Sequence, residues 1–285
     1  MSGRPTSAGT PPGAPVWVPV LLYHSLDERA SPRYRPFSVA PERFDEHLDV
    51  IRDRGHTPIT AGAFARALLD PASPLPGQPV VITFDDGFRD LHEEALPRLV
   101  DRGFVATAFI VTGYVGGNTR WLVGIGEGDR PVVGWTELAE LAGAGVEIGS
   151  HTHLHPQLDV IPRAAMIEEL SVSRTILEDR LGQAVDLLAY PYGFHDCEVA
   201  GAARAAGYVA AYGVKNALSH RRDDPYAIAR LVVGPDLEAE QLAAWLDSRG
   251  APTAWSGERW RTRVFRAGRR AARRLRGDRA QGLSP

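Results

Sequence analysis

Residues 80–84, Val-Val-Ile-Thr-Phe, carry no charge, favour β structure, and run directly into Asp85, Asp86 and Gly87. A run that is apolar at nearly every position, rather than at alternate ones, suits a strand covered on both faces, as in a parallel sheet sandwiched by helices. Two adjacent carboxylates at the end of such a strand repel each other and must shed water, so a cation or a proton has to hold the pair. Gly87 then lets the backbone turn sharply. An ordinary Asp-Gly surface turn has the same letters, and a second cluster later in the chain decides between the two readings.

The rest of the sequence repeats this strand-then-helix pattern about seven times. Residues 18–23 read as a first strand that delivers His24 at its end, and a polar loop with Arg29, Arg33 and Arg35 follows. Helices are expected from Pro41 to a stop at Gly55, and over 61–69, 91–102, 136–144 with Thr136 as N-cap, 163–181, 199–206 and 237–248. Strands are expected over 57–60, 105–111, 146–150, 185–190, 208–214 and 227–233. Residues 113–133 form a long glycine-rich loop carrying Trp121, read as one wall of a pocket. Residues with chemistry fall only at strand C-termini. That is the layout of a (β/α) barrel of seven or eight units, an α/β fold whose active groups lie on the carboxyl-end face. With no repeat and no dividing linker, residues 16–250 read as one barrel domain, preceded by a disordered 1–15 and followed by an arginine-rich tail, 251–285.

At 285 residues and 44% apolar, the chain can bury a full core. The net charge is −3, but residues 258–285 hold ten Arg against Glu258 and Asp278, which leaves the preceding 257 residues at about −11. Residues 259–277 read as a basic amphipathic helix suited to peripheral contact with an anionic membrane, while the acidic body argues against nucleic acid. The single Cys197 fits a reducing compartment. No apolar run approaches the ~20 residues that span a bilayer, and the expectation is a cytoplasmic protein, with possible membrane contact at the inner face.

His151, His153 and His155 follow the expected strand 146–150. Spacing of four would place His151 and His155 on one face of a helix, but Pro156 favours a compact loop with both imidazoles pointing inward. With Asp86 they make three protein ligands and leave positions for water, the pattern of a hydrolytic metal centre. Such a His₂Asp set accepts Zn²⁺, taken as the first choice, or Co²⁺, Ni²⁺ or Fe²⁺.

Thr83-Phe84-Asp85-Asp86-Gly87 and Ser150-His151-Thr152-His153-Leu154-His155-Pro156 resemble the first two motifs of the polysaccharide deacetylases (NodB-homology, carbohydrate esterase family 4), and Ala189-Tyr190-Pro191-Tyr192-Gly193 resembles the third. The resemblance covers roughly residues 17–235. It implies a distorted (β/α) barrel and a metal-dependent enzyme that removes acetyl from N-acetylated sugars, acting on a C–N bond other than a peptide bond. It also implies Asp85 as general base, Asp86, His151 and His155 as metal ligands, and Thr152 as a hydroxyl that orients the ligand loop. The backbone N–H of Tyr192 would join the oxyanion hole, its ring would line the acetyl pocket with Trp121, and Pro191 and Gly193 would shape that turn.

Two positions depart from the family pattern. Ala189 stands where the family commonly has an arginine that holds the catalytic aspartate, and Arg230 is the expected substitute. No late histidine serves as general acid, since His220 lies in an apparent charged loop. The opening Leu22-Tyr23-His24, however, resembles the circularly permuted branch that includes poly-N-acetylglucosamine deacetylases, which makes His24 the expected acid. Two other readings stand beside N-deacetylation: hydrolysis of a non-sugar amide on the same scaffold, and a non-catalytic carbohydrate-binding protein.

Overall fold

The computed structural model describes residues 17–70, 72–251 and 267–269. Residues 1–15, and all but 267–269 of the expected basic helix, lie outside the described residues. In chain order the elements are β1 (Trp17–Val18), β2 (Val20–Tyr23), α1 (Pro41–Asp53), β3 (Thr57–Ile59), α2 (Ala61–Leu69), β4 (Pro79–Phe84), α3 (Leu96–Asp101), β5 (Ala106–Ile110) and α4 (Trp135–Gly143). There follow β6 (Val146–Ser150), α5 (Arg163–Leu181), β7 (Leu187–Ala189), α6 (Cys197–Ala205), β8 (Ala210–Tyr212), β9 (Ser219–His220), β10 (Leu231–Val232) and α7 (Ala239–Leu246).

The main sheet is parallel, in the order β10-β2-β4-β5-β6-β7-β8, with β3 paired to the start of β4. Its two edges meet through residues 225–228: Tyr212 and Ile228 form a parallel bridge, and Gly213 N donates to Ile228 O at 2.9 Å. The curled sheet with helices around it is a distorted (β/α) barrel, as the strand–helix alternation implies.

Alternation along each strand sorts the core into layers. Val80, Ile82 and Phe84 of β4, Leu21 and Tyr23 of β2, and Ala106, Ala108 and Ile110 of β5 face outward into a cluster with Phe44, Leu48 and Ile51 of α1. Val81, Val20 and Phe109 face inward with Ala189, Tyr212 and Ile228. Side chains two apart share a face, so Thr83 and Asp85 continue the inward set begun by Val81. The barrel's lower end is closed by α2: Ala61 N donates to Thr107 Oγ1 and Gly62 N to Glu147 Oε2, both at 2.8 Å, and Tyr212 donates to Ala61 O at 2.6 Å.

Several boundaries differ from expectation for local reasons. Helix α4 begins one residue earlier, at Trp135, because the Glu137 carboxylate reaches back to Gly134 N (2.5 Å) and no Thr136 hydroxyl is needed. Pro19 splits the first strand into β1 and β2. The expected strand 227–233 changes neighbour midway, Ile228 bridging Tyr212 while Leu231–Val232 pairs with Leu21–Leu22, and only β10 remains. His220 lies not in a loop but in β9, antiparallel to β1, with its ring edge-on to Trp17 at 4.8 Å. The expected helix 91–102 opens with a wider π turn, Leu91–Ala95, before α3.

Candidate active site

The site forms where β2, β4, β6 and β7 end. Asp85 keeps the strand register through Asp85 N to Tyr23 O (3.0 Å) and points into the barrel. There the fully buried Arg230, which leads into β10, donates to Asp85 Oδ1 from Nη1 and to Oδ2 from Nη2, both at 2.7 Å. Arg230 Nε donates to Gly213 O at 3.0 Å, and the guanidinium lies 5.5 Å from the Phe109 ring centre. Burial alone would raise the Asp85 carboxyl, but the charge of Arg230 and its two hydrogen bonds hold it down to about 2. The guanidinium missing at Ala189 is thus present at Asp85, supplied by Arg230.

Asp86 breaks the strand. Its φ of +72° turns the next carboxylate away from its neighbour's direction and toward the β6 end. Oδ2 accepts from Tyr34 Oη at 3.2 Å, while Oδ1 is buried with no hydrogen-bond partner among the described residues. Burial, and then the charge of Asp85, pushes this carboxyl up to about 7.

Two imidazoles face that orphaned oxygen. His151 Nε2 lies 3.6 Å and His155 Nε2 3.3 Å from Asp86 Oδ1, and the two Nε2 atoms are 3.2 Å apart. His151 Nδ1 contacts Ala189 O at 2.8 Å. A carbonyl only accepts, so Nδ1 carries the hydrogen and the Nε2 lone pair is left facing the site. Burial keeps both imidazoles below the usual histidine range, so both are neutral at pH 7. Three ligand atoms, one each from Asp86, His151 and His155, lie within 4.8 Å of one another, and all three residues are buried. An unpartnered carboxylate oxygen faced by two imidazole Nε2 atoms, that of His151 fixed as a lone pair, fits a divalent cation.

The loop that presents the histidines is strained and braced. Thr152 (φ +68°) and His155 (φ +61°) are left-handed, a costly conformation for a β-branched threonine. Thr152 Oγ1 accepts from His155 N at 3.1 Å. From α5, Glu169 Oε2 accepts from His153 N (2.9 Å) and Leu154 N (2.7 Å), and Ser173 Oγ meets Ser150 Oγ at 2.8 Å. His153, expected to face solvent, is half-buried with Nδ1 3.0 Å from Thr112 Oγ1.

The remaining expected residues ring this centre. Tyr192 (φ +59°) stands 46% exposed, with its ring 4.7 Å from that of His155, in a turn opened by the buried Pro191. Gly193 has no alternative there, since a Cβ would sit 2.5 Å from Val214 N. The Trp121 ring lies 5.5 Å from His155 and 4.9 Å from Tyr114. His24 has its ring against Phe37 and a buried Nδ1 with no hydrogen-bond partner among the described residues; burial pushes it down to about 4, with Asp85 opposing. Tyr34, Tyr114, Glu169 and Ser173 were not singled out by the sequence reading. No motif marks them, and Tyr34 lies in an arginine-rich loop.

Comparison with known proteins accords with this geometry. Residues 72–211 match the polysaccharide deacetylase family model. The chain is 26% identical over 243 residues to YxkH of Bacillus subtilis (strain 168), a protein provisionally named a polysaccharide deacetylase, with 85% of this chain and 81% of the relative covered. It is 23% identical over 225 residues to the poly-β-1,6-N-acetyl-D-glucosamine N-deacetylase of Staphylococcus aureus (strain MSSA476), covering 76% of this chain and 74% of the relative. Among solved structures, IcaB from Ammonifex degensii superposes with a TM-score of 0.69 at 25% identity, over 81% of this chain and 97% of that one.

Proposed function

We propose that this chain, whose residues 72–211 belong to the polysaccharide deacetylase family, is a metal-dependent hydrolase that removes acetyl from an N-acetylated glycan. One observation carries the reading: the bare Asp86 Oδ1 and two imidazole Nε2 atoms converge beside a second carboxylate, Asp85, that Arg230 keeps ionised. A divalent cation held by Asp86, His151 and His155, with Zn²⁺ the first choice, would acidify a water and polarise the acetyl carbonyl.

The protein's own groups supply the rest. Asp85, held at about 2, is a weak base at neutral pH. It accepts a proton only from a water already made acidic, and the two-pronged Arg230 contact fixes its direction. His24, pushed down to about 4, is neutral at rest. The proton that Asp85 takes from the attacking water must therefore pass to His24 before His24 can give it to the departing amine. The Tyr192 amide donates to the developing oxyanion, a kind of contact worth about 10²–10³ in rate. The exposed Tyr192 ring, Trp121 and Tyr114 offer flat apolar faces for a sugar ring to stack on.

Acetate release from a panel of N-acetylated oligosaccharides, with chelator and with re-added metals, tests the reading. Release that chelator abolishes, that metal restores and that Asp85→Asn removes is the expected result; no release from any glycan at saturating metal would defeat it. A carbohydrate-binding protein without catalysis drew on Ala189, and the Arg230–Asp85 pair removes that ground. Cytoplasmic action remains part of the proposal and is checked by fractionating the producing cell.

A further inference from the structure

Two segments, residues 27–37 and 120–130, bring aromatic rings to the reaction centre, and each carries an arginine just ahead of its ring. Arg35 stands two residues before Phe37, whose ring packs edge-on to that of His24 at 5.2 Å and is 38% exposed. Arg120 directly precedes Trp121, whose ring lies 5.5 Å from that of His155. The two segments are joined. Ser31 Oγ donates to Ile125 O at 3.1 Å and Arg33 Nη1 to Gly124 O at 3.4 Å, and Tyr34 packs in one apolar cluster with Leu122 and Trp121. They therefore form one continuous stretch of the site's rim.

Charge on this rim is sorted by sign. Arg33, Arg35 and Arg120 are exposed, and among the described residues the side chains of Arg35 and Arg120 have no hydrogen bond or ion pair. Burial and the charge of Glu169 raise the Tyr114 hydroxyl while the charge of Arg120 opposes them, so that charge lies toward the ring that packs on Trp121. The acids of the same two segments face elsewhere. Asp27, Glu28, Glu127 and Asp129 line a separate cleft with Glu93 and Glu94, and none of Asp86, His151 and His155 belongs to its wall. Asp27 and Glu127 are also engaged, by Arg29 Nε at 3.2 Å and by Ser31 N at 2.5 Å. The first 257 residues carry about −11, so unneutralised guanidinium groups gathered at the reaction site run against the charge of the body.

We propose that Arg35 and Arg120 bind anionic groups of the substrate, carboxylate or phosphate, carried by the N-acetylated glycan near the sugar whose acetamide meets the metal site. A guanidinium forms paired hydrogen bonds with either group. Phe37 and Trp121, next to the two arginines in the chain, offer the same sugars apolar faces. The local surplus of positive charge also steers such a glycan to the cleft past an acidic body. This inference rests on the proposed glycan substrate and adds that the glycan is charged; it does not rest on catalysis.

Calorimetry on the metal-free full chain tests it with an N-acetylglucosamine tetramer, the same tetramer bearing a phosphate at its reducing end, and a hyaluronan tetramer, which bears carboxylates. Wild-type protein is expected to bind at least one anionic tetramer about tenfold or more tightly than the neutral one, with the advantage shrinking at about 0.5 M salt. The anionic tetramer it prefers identifies the group. Arg35→Ala/Arg120→Ala is expected to bind the neutral tetramer as wild type does and the anionic ones no better. Both positions are exposed, so the variant should fold. The arginine-rich residues 258–285 are intact in it, so an anionic preference kept within about twofold of wild type belongs to that segment and overturns the proposal. No anionic preference in wild type, or an equal loss of neutral and anionic binding in the variant, overturns it as well. Failure of the hydrolase reading appears separately, as absence of acetate release from metal-loaded wild type with any of these glycans.

Discussion

Arg230 grips both carboxylate oxygens of Asp85, at 2.7 Å each, from 145 residues away in the chain. The pair is fully out of solvent, and neither partner is tolerable alone. Arg230→Met should therefore destabilise the fold by about 3–5 kcal/mol, the usual result of stranding a buried charge. It should also lower acetate release by about 100-fold or more, as Asp85 loses both countercharge and direction. Urea unfolding and steady-state rates check the two effects, and Arg230→Lys should recover part of the stability but little of the rate, since a point charge cannot bind both oxygens.

Metal uptake should depend on pH through Asp86. In the metal-free protein its carboxyl sits at about 7, while the two imidazoles stay neutral. Below pH 7 binding must displace one proton, so the apparent association constant should rise tenfold per pH unit between 5 and 7 and level off above. A chelator-competition titration reads this slope. The sign for folding of the metal-free protein is opposite. A carboxyl raised in the native state binds its proton more tightly there, so its contribution is present below the unfolded value of about 3.9 and is lost as pH rises through about 7. Added metal should erase that loss.

Tyr34→Phe removes only the hydroxyl that donates to Asp86 Oδ2. Groups that orient a ligand typically contribute 10–100-fold to metal affinity. Weaker metal binding in that range, with rates largely restored at saturating metal, is the expected outcome; an unchanged metal titration would show that the hydroxyl does not orient Asp86.

Glu169→Gln keeps the shape but weakens the carboxylate that receives the His153 and Leu154 amides. Loss of this brace frees a loop whose conformation is strained, so metal affinity should fall by about tenfold or more. Hydrogen exchange at residues 152–155 should quicken in parallel.

His24→Ala should retain stoichiometric metal and lose most turnover. His24 contributes no atom to the Asp86–His151–His155 group, so metal analysis and rates are expected to separate. Turnover equal to wild type would remove His24 from the proposed reaction.

Much of this arrangement was legible because the chemistry sits at strand ends. An uncharged strand locates itself, and period-two alternation then says that Asp85 shares the face of Val81 and Thr83. The helix bounds at 61–69 and 163–181 were legible for local reasons, a Thr60 cap accepting from Ala63 N and Gly182 after the last turn. The bracing contacts were not. Tyr34, Glu169 and Ser173 reach the site from a loop and a helix face, where a polar residue has many ordinary uses and no spacing sets it apart. Arg230 could be nominated only because the third motif lacked an arginine; its pairing with Asp85 is a matter of topology, which no local pattern encodes.

The curled sheet closes at a short seam, where Tyr212 and Ile228 form one parallel bridge. Arg230 spans that seam, bound to Gly213 on one lip and to Asp85 across the lumen. The side chain that keeps the proposed base ionised is thus also the buckle that keeps the cylinder shut. Any perturbation that parts the two lips disarms the catalyst before the rest of the architecture gives way, so inactivation on gentle heating should precede global melting.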